Sequence, residues 1–99
     1  MGRREYIDKM ASQLKVLDDK ITVMQNNAQE VKSNLKEEYQ KQLNILNQKK
    51  EQTKEKLATL NESNHEAFDT LKEGISKSFT ELKEAVETAV KKYKRNGNS

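Results

Sequence analysis

The chain is predicted to be all-α, an elongated antiparallel helical hairpin or coiled coil with a long first helix and a shorter second helix. Three observations predict this. Ile7, Met10, Leu14, Leu17, Ile21, Met24, Ala28, Val31 and Leu35 follow one another at alternating steps of three and four, a heptad seam. Phe68, Leu71, Ile75, Phe79, Leu82, Val86, Val90 and Tyr93 follow a three-four-four rhythm, a hendecad seam. Finally, 99 residues with no proline, three glycines, 32% hydrophobic and 35% charged content leave little material for sheets or a rounded core.

The first helix is expected within residues 1–62. Nothing from Glu5 to Leu60 breaks a helix, and most residues there are good helix formers. Ile7, Leu14, Ile21, Ala28 and Leu35 take the a positions, and Met10, Leu17, Met24 and Val31 the d positions. At Tyr39 a step of four follows a step of four, a stutter that locally unwinds a supercoil. The seam resumes at Leu43 and Leu46, meets Lys50 and Thr53, and closes with Leu57 and Leu60. Asn47 to Lys56 is polar all round. Its helix must lean on neighbours, because Glu51 with Lys54 supports it while Glu51 with Glu55 opposes it.

Asn61 to Glu66 reads as the turn. Ser63 and Glu66 fit a capping box, in which the serine oxygen accepts a first-turn N–H and the glutamate reaches back. Asn61-Glu62-Ser63 also fits a glycosylation sequon, a reading set aside for want of a secretory signal.

The second helix is expected over 63–96, followed by a disordered tail at 97–99. Lys91, Lys92, Lys94 and Arg95 suit the negative end of the helix dipole, and Asn96-Gly97 reads as the stop. An eleven-residue unit from Ala67 to Lys77 is repeated from Ser78 to Thr88, with a fading third copy from Ala89. Eleven residues make three turns with little drift, so the stripe stays nearly straight. Ala67, Gly74, Ser78, Ala85 and Ala89 flank it and admit a close neighbour. Gly74 reads as a packing residue more than as a hinge.

Length then bears on partners. At 1.5 Å per residue the first helix would be roughly 85 Å long and the second about 45–50 Å. A hairpin folded at Ser63 leaves Ile7, Met10, Leu14, Leu17, Ile21, Met24 and Val31 uncovered, which predicts a homo-oligomer, most simply a dimer, through those residues. A rival solution breaks the chain at Asn26-Asn27 and forms a three-helix bundle; the heptad runs unbroken through those residues.

Residues that could carry chemistry are sparse. Lys+Arg of 19 against Asp+Glu of 16 gives a net charge of +3, with the signs interleaved as on solvated helix faces. His65 is the one histidine and there is no cysteine, so no zinc set, thiolate or disulfide framework is available. The carboxylates belong to Glu/Lys interleaving, and there is no phosphate loop or activated nucleophile. The chain is therefore read as no enzyme, without cofactor, metal or small-molecule substrate. Nucleic acid is disfavoured, because lysines alternate with glutamates and Tyr6, Tyr39 and Tyr93 lie far apart.

A membrane surface is the serious rival. Phe68, Leu71, Ile75, Phe79, Leu82, Val86 and Val90, flanked by lysines, could lie in a lipid interface or pack on the first helix, but not both at once. No apolar run approaches a membrane span, and Tyr6 breaks a Met1-Gly2 myristoylation pattern. A cytoplasmic location is the expectation.

Arg4-Glu5-Tyr6-Ile7-Asp8-Lys9-Met10 with Gln13-Leu14 resembles the opening of a family of small bacterial coiled-coil stress-response proteins. Tyr39 with Leu43, and the paired units Ala67-Phe68-x-x-Leu71-Lys72-x-Gly74 and Ser78-Phe79-x-x-Leu82-Lys83-x-Ala85, resemble its later portion. This chain carries Phe68 and Phe79 where that family's pattern usually has Trp. The resemblance implies a soluble, cytoplasmic helical protein linked to stress tolerance, with no catalytic residue to carry over. The eleven-residue units are similar in pattern to desiccation-protective and apolipoprotein helices.

Overall fold

The computed structural model describes the backbone of residues 2–97 and the side chains of residues 2–92. Three helices carry it: α1 (Arg3–Asn26), α2 (Lys36–Glu62) and α3 (His65–Gly97). Two single-turn 3-10 helices, Ala28–Glu30 and Ser33–Leu35, connect α1 to α2.

The helices run up, down and up. Met24 of α1 lies opposite Tyr39 of α2, and Asp18 opposite Lys50. Thr53 of α2 faces Ser78 of α3, and Glu38 faces Lys92. Tyr6 of α1 reaches Lys72 and Ser76 of α3, so α1 and α3 are parallel. The bundle measures 50 × 20 × 17 Å, and α3, with 33 residues, spans about 50 Å of that at 1.5 Å per residue. A radius of gyration of 15.6 Å against about 13 Å for a compact chain of this size marks it as elongated.

Both seams close on each other. Met10, Leu14, Leu17, Ile21 and Met24 meet Tyr39, Leu43 and Leu46 of α2 and Phe79, Leu82, Val86 and Ala89 of α3 in one core. Ile21, Leu46, Leu60, Ile75, Leu82 and Val86 are almost wholly removed from solvent.

The single helix expected from Glu5 to Leu60 is thus divided, and three helices replace the two-helix hairpin. Asn26, Asn27, Ser33 and Asn34 cluster around the break, and their short polar side chains compete with helical backbone bonds. Asn27 takes φ −91°, ψ 3°, while Val31 and Lys32 are extended. The break uses no glycine, and no described residue has positive φ. Unwinding such residues costs a few tenths of a kcal/mol each. Folding α1 back buries five large apolar side chains at about 1.5–3 kcal/mol apiece, so burial wins.

Two smaller expectations are corrected as well. The cap of α3 is Asn64, whose Oδ1 accepts the Ala67 N–H at 2.9 Å. Ser63 turns the other way, its hydroxyl donating to the Leu60 carbonyl at 2.6 Å to close α2. Gly74 is no packing residue: a Cβ built there meets nothing within 4 Å. At the far end the helix includes Gly97, one residue past the start of the expected stop. Asn98 and Ser99, and the side chains of Tyr93, Lys94 and Arg95, lie outside the described residues.

Candidate functional site

The residues expected to bind a second copy are occupied within one chain. Met10, Leu14, Leu17, Ile21 and Met24 are buried against α2 and α3, and Ile7 and Val31 are half-buried. The premise of an uncovered N-terminal seam therefore does not hold for the folded chain, because α1 has folded back where the hairpin would have left it projecting. The α3 stripe has the same fate. Ile75, Phe79, Leu82 and Val86 are buried, while Phe68, Leu71 and Val90 are half-buried. Ala85, Ala89 and Ser78 flank it at the helix interface as their size suggests.

The richest side-chain constellation lies where the start of α1, the end of α2 and the start of α3 converge. The Arg3 guanidinium donates to the carbonyl of Leu60 at 3.3 Å, to that of Asn61 at 2.9 Å and to that of Ser63. These groups stand at the negative end of the α2 dipole, which a fixed cation complements. The same guanidinium stands 5.3 Å from the Phe68 ring centroid. Tyr6 meets Phe68 edge to face at 6.2 Å, and the Lys72 ammonium lies 4.8 Å from the Tyr6 ring centroid. The Tyr6 hydroxyl pairs with the Ser76 hydroxyl at 2.6 Å. Each member therefore engages another: the cluster is a clamp that ties three helix ends together.

A second polar feature sits inside the bundle. Thr53 is 1% exposed; its hydroxyl donates to the Lys49 carbonyl at 2.8 Å and pairs with the Ser78 hydroxyl at 2.9 Å. Nearly one turn earlier, Lys50 reaches across to Asp18 at 2.9 Å with its side chain only 19% exposed. The stretch from Asn47 to Lys56, polar by sequence, is therefore anchored to both neighbouring helices. Other ion pairs, Lys15 with Asp19 and Lys41 with Glu37, are exposed one-turn pairs that contribute little.

Sequence reasoning missed Arg3, the Tyr39 hydroxyl and the Thr53–Ser78 pair as structural anchors. Tyr39 and Thr53 did carry a signal, since a hydroxyl in a seam position needs an internal partner. Arg3 carried none, because its acceptors lie about sixty residues downstream.

His65 is exposed at the first turn of α3. Among the described residues no group of three or more His, Cys, Asp or Glu side chains could hold a metal ion, and no helix is long and apolar enough to cross a membrane. Among the described residues Val16, Val23 and Ile45 are the exposed large apolar side chains, at 53%, 56% and 43%. Val16 and Val23 sit on α1 and Ile45 on α2, as single residues among polar neighbours, which is ordinary for a protein surface. No family model, curated protein or solved structure matches this chain at a significant level.

Proposed function

We propose that this chain is a non-catalytic helical protein of the cytoplasm with a structural or protective role under stress, acting as a folded bundle. The observation that supports the structural part is the closure of both seams into one core of twelve described side chains drawn from all three helices. The outer faces are thereby left to interleaved lysine and glutamate, a strongly hydrated surface suited to keeping neighbouring proteins apart. The protective part rests on the resemblance of Arg4–Met10 and of the units beginning at Ala67 and Ser78 to small bacterial coiled-coil stress-response proteins.

The test is a protection assay. A heat-labile enzyme is warmed or dried with equimolar protein, and light scattering and recovered activity are followed. Suppressed scattering beyond that given by an equal mass of an inert globular protein supports the reading. Equal scattering overturns it.

A second reading, a peripheral membrane-surface protein, is favoured by the start of the α3 stripe, where Phe68 and Leu71 are only half-buried beside Lys72. Insertion would require α3 to leave α1 and α2. Flotation with anionic vesicles, accompanied by loss of the near-ultraviolet tyrosine signal, is the expected outcome of that reading. Recovery of all the protein below the vesicles at low salt would remove it.

A further inference from the structure

We propose that the segment between α1 and α2 is a hinge that can straighten, and that two copies of this chain exchange α1 through it to form a domain-swapped dimer. The inference rests on the fold alone and stands whether or not the protective reading survives.

Four observations carry it. First, nothing in the hinge forbids a helix: residues 27–35 contain no proline, glycine or positive φ, and 3-10 turns already occupy six of the nine positions. Second, the apolar rhythm does not stop where the helix stops. Ala28, Val31 and Leu35 continue the heptad of α1 through the break, a pattern that a mere loop has no need to keep.

Third, these three residues are only half-buried in the closed bundle, whereas Ile21, Met24 and Tyr39 on either side of them are buried. Fourth, α1 and α2 are antiparallel neighbours whose cross-contacts centre on the hinge. Tyr39 lies opposite Met24 and Lys50 opposite Asp18, and the midpoints of both pairs fall between Val31 and Asn34. Two straightened chains packed in the same register would cross at a two-fold axis inside the hinge. Ala28, Val31 and Leu35 of one copy would there meet those of the other.

In such a dimer α1 and α2 join into one helix of about 60 residues, roughly 90 Å long. Each α1 then fills the place between α2 and α3 that the partner's α1 has vacated. Every core contact of the bundle is retained, made between chains where it was made within one. The exchange gains the helical bonds missing from the hinge and the cover over its apolar residues, and it loses the freedom of two separate molecules. Its balance is therefore set by protein concentration and by the hinge sequence.

The hinge can be biased in both directions without touching the core. Lys32 has φ −57° and Val31 before it has φ −73°, ψ 140°, values that a proline at 32 and its preceding residue adopt. Lys32→Pro therefore fits the closed bundle and blocks the straight helix. Asn27→Ala, Ser33→Ala and Asn34→Ala together favour the helix and, present in both copies, lower the concentration at which half the protein is dimeric by about tenfold or more. Light scattering coupled to gel filtration, after concentrated refolding, reads the outcome. Circular dichroism checks that each variant is folded.

The exchange itself is read by cross-linking, which is clean because the natural chain has no cysteine. Chains with Asp18→Cys are mixed with chains with Lys50→Cys, unfolded, refolded together and treated with a short bismaleimide. A covalent heterodimer linked from 18 to 50 is the expected product. Either of two results overturns the proposal: a triple-alanine variant that stays monomeric at the highest soluble concentration, or a dimer in which the 18–50 link between chains is absent.

Discussion

The phenolic hydroxyl of Tyr39 donates to the backbone carbonyl of Met24 at 2.6 Å, tying the first turns of α2 to the last turn of α1 across the break. Met24 is within three residues of the end of α1, where carbonyls lack an intrahelical partner. Tyr39 is 2% exposed, so the bond satisfies a buried acceptor while the ring fills the core.

Tyr39→Phe tests that bond with the ring retained. Leaving a buried carbonyl without this donor costs about 1–3 kcal/mol. For a chain of this size that lowers the melting temperature by several degrees or more. Thermal unfolding followed by circular dichroism measures it, and an unchanged midpoint would show that the hydroxyl contributes nothing.

Thr53 and Ser78 are expected to behave as a unit. Thr53→Val alone removes a buried hydroxyl from two partners and should destabilise by about 1 kcal/mol. Adding Ser78→Ala removes the group left behind, so the double variant should cost less than the two single variants together. A double-mutant cycle in urea should return a coupling of about 0.5–1.5 kcal/mol; strict additivity would mean that the hydroxyls do not cooperate.

Gly74 lies on an exposed face of α3 with open space where a Cβ would stand. Gly74→Ala should therefore stabilise the protein by about 0.5–1 kcal/mol through the backbone alone. A raised urea midpoint at unchanged slope is the signature. A lowered midpoint would point to a use for the glycine that the monomeric bundle does not contain.

Arg3 closes the end of α2 and stacks on Phe68. Arg3→Ala should cost about 1–2 kcal/mol from the lost cap and cation–π contact. Amide exchange should quicken in the last turn of α2 before it does in the bundle centre. Arg3→Lys should recover part of the loss: the three carbonyls are all reached from the single nitrogen Nη2, a role an ammonium can take over, while the flat guanidinium over the Phe68 ring is lost.

The all-α class and the buried centre of each seam were legible in the sequence because periodicity is a local property. Steps of three and four put Met10, Leu14, Leu17, Ile21 and Met24 on one side of any helix that contains them, and all five are buried. The same holds for Ile75, Phe79, Leu82 and Val86 on the eleven-residue stripe. The turn between α2 and α3 was also readable, to within one residue. Its cap moved from Ser63 to Asn64 because Ser63 is engaged by groups from elsewhere: its hydroxyl closes α2, and its carbonyl receives Arg3 from the other end of the chain.

What covers the seam was decided only by the tertiary structure. A heptad states which residues must be buried and is silent on whether the cover comes from the same chain or another. Residues 27–35 are close to neutral between helix and turn, so the unbroken heptad favours a continuous helix there and leaves the break at Asn26-Asn27, where α1 ends, as the rival. Folding α1 back onto α2 and α3 outweighs their small helical preference, because burial of several large side chains is a larger energy than the loss of a few backbone bonds. Periodicity sets the helices' faces; the packing of α1 against α2 and α3 sets where the chain bends.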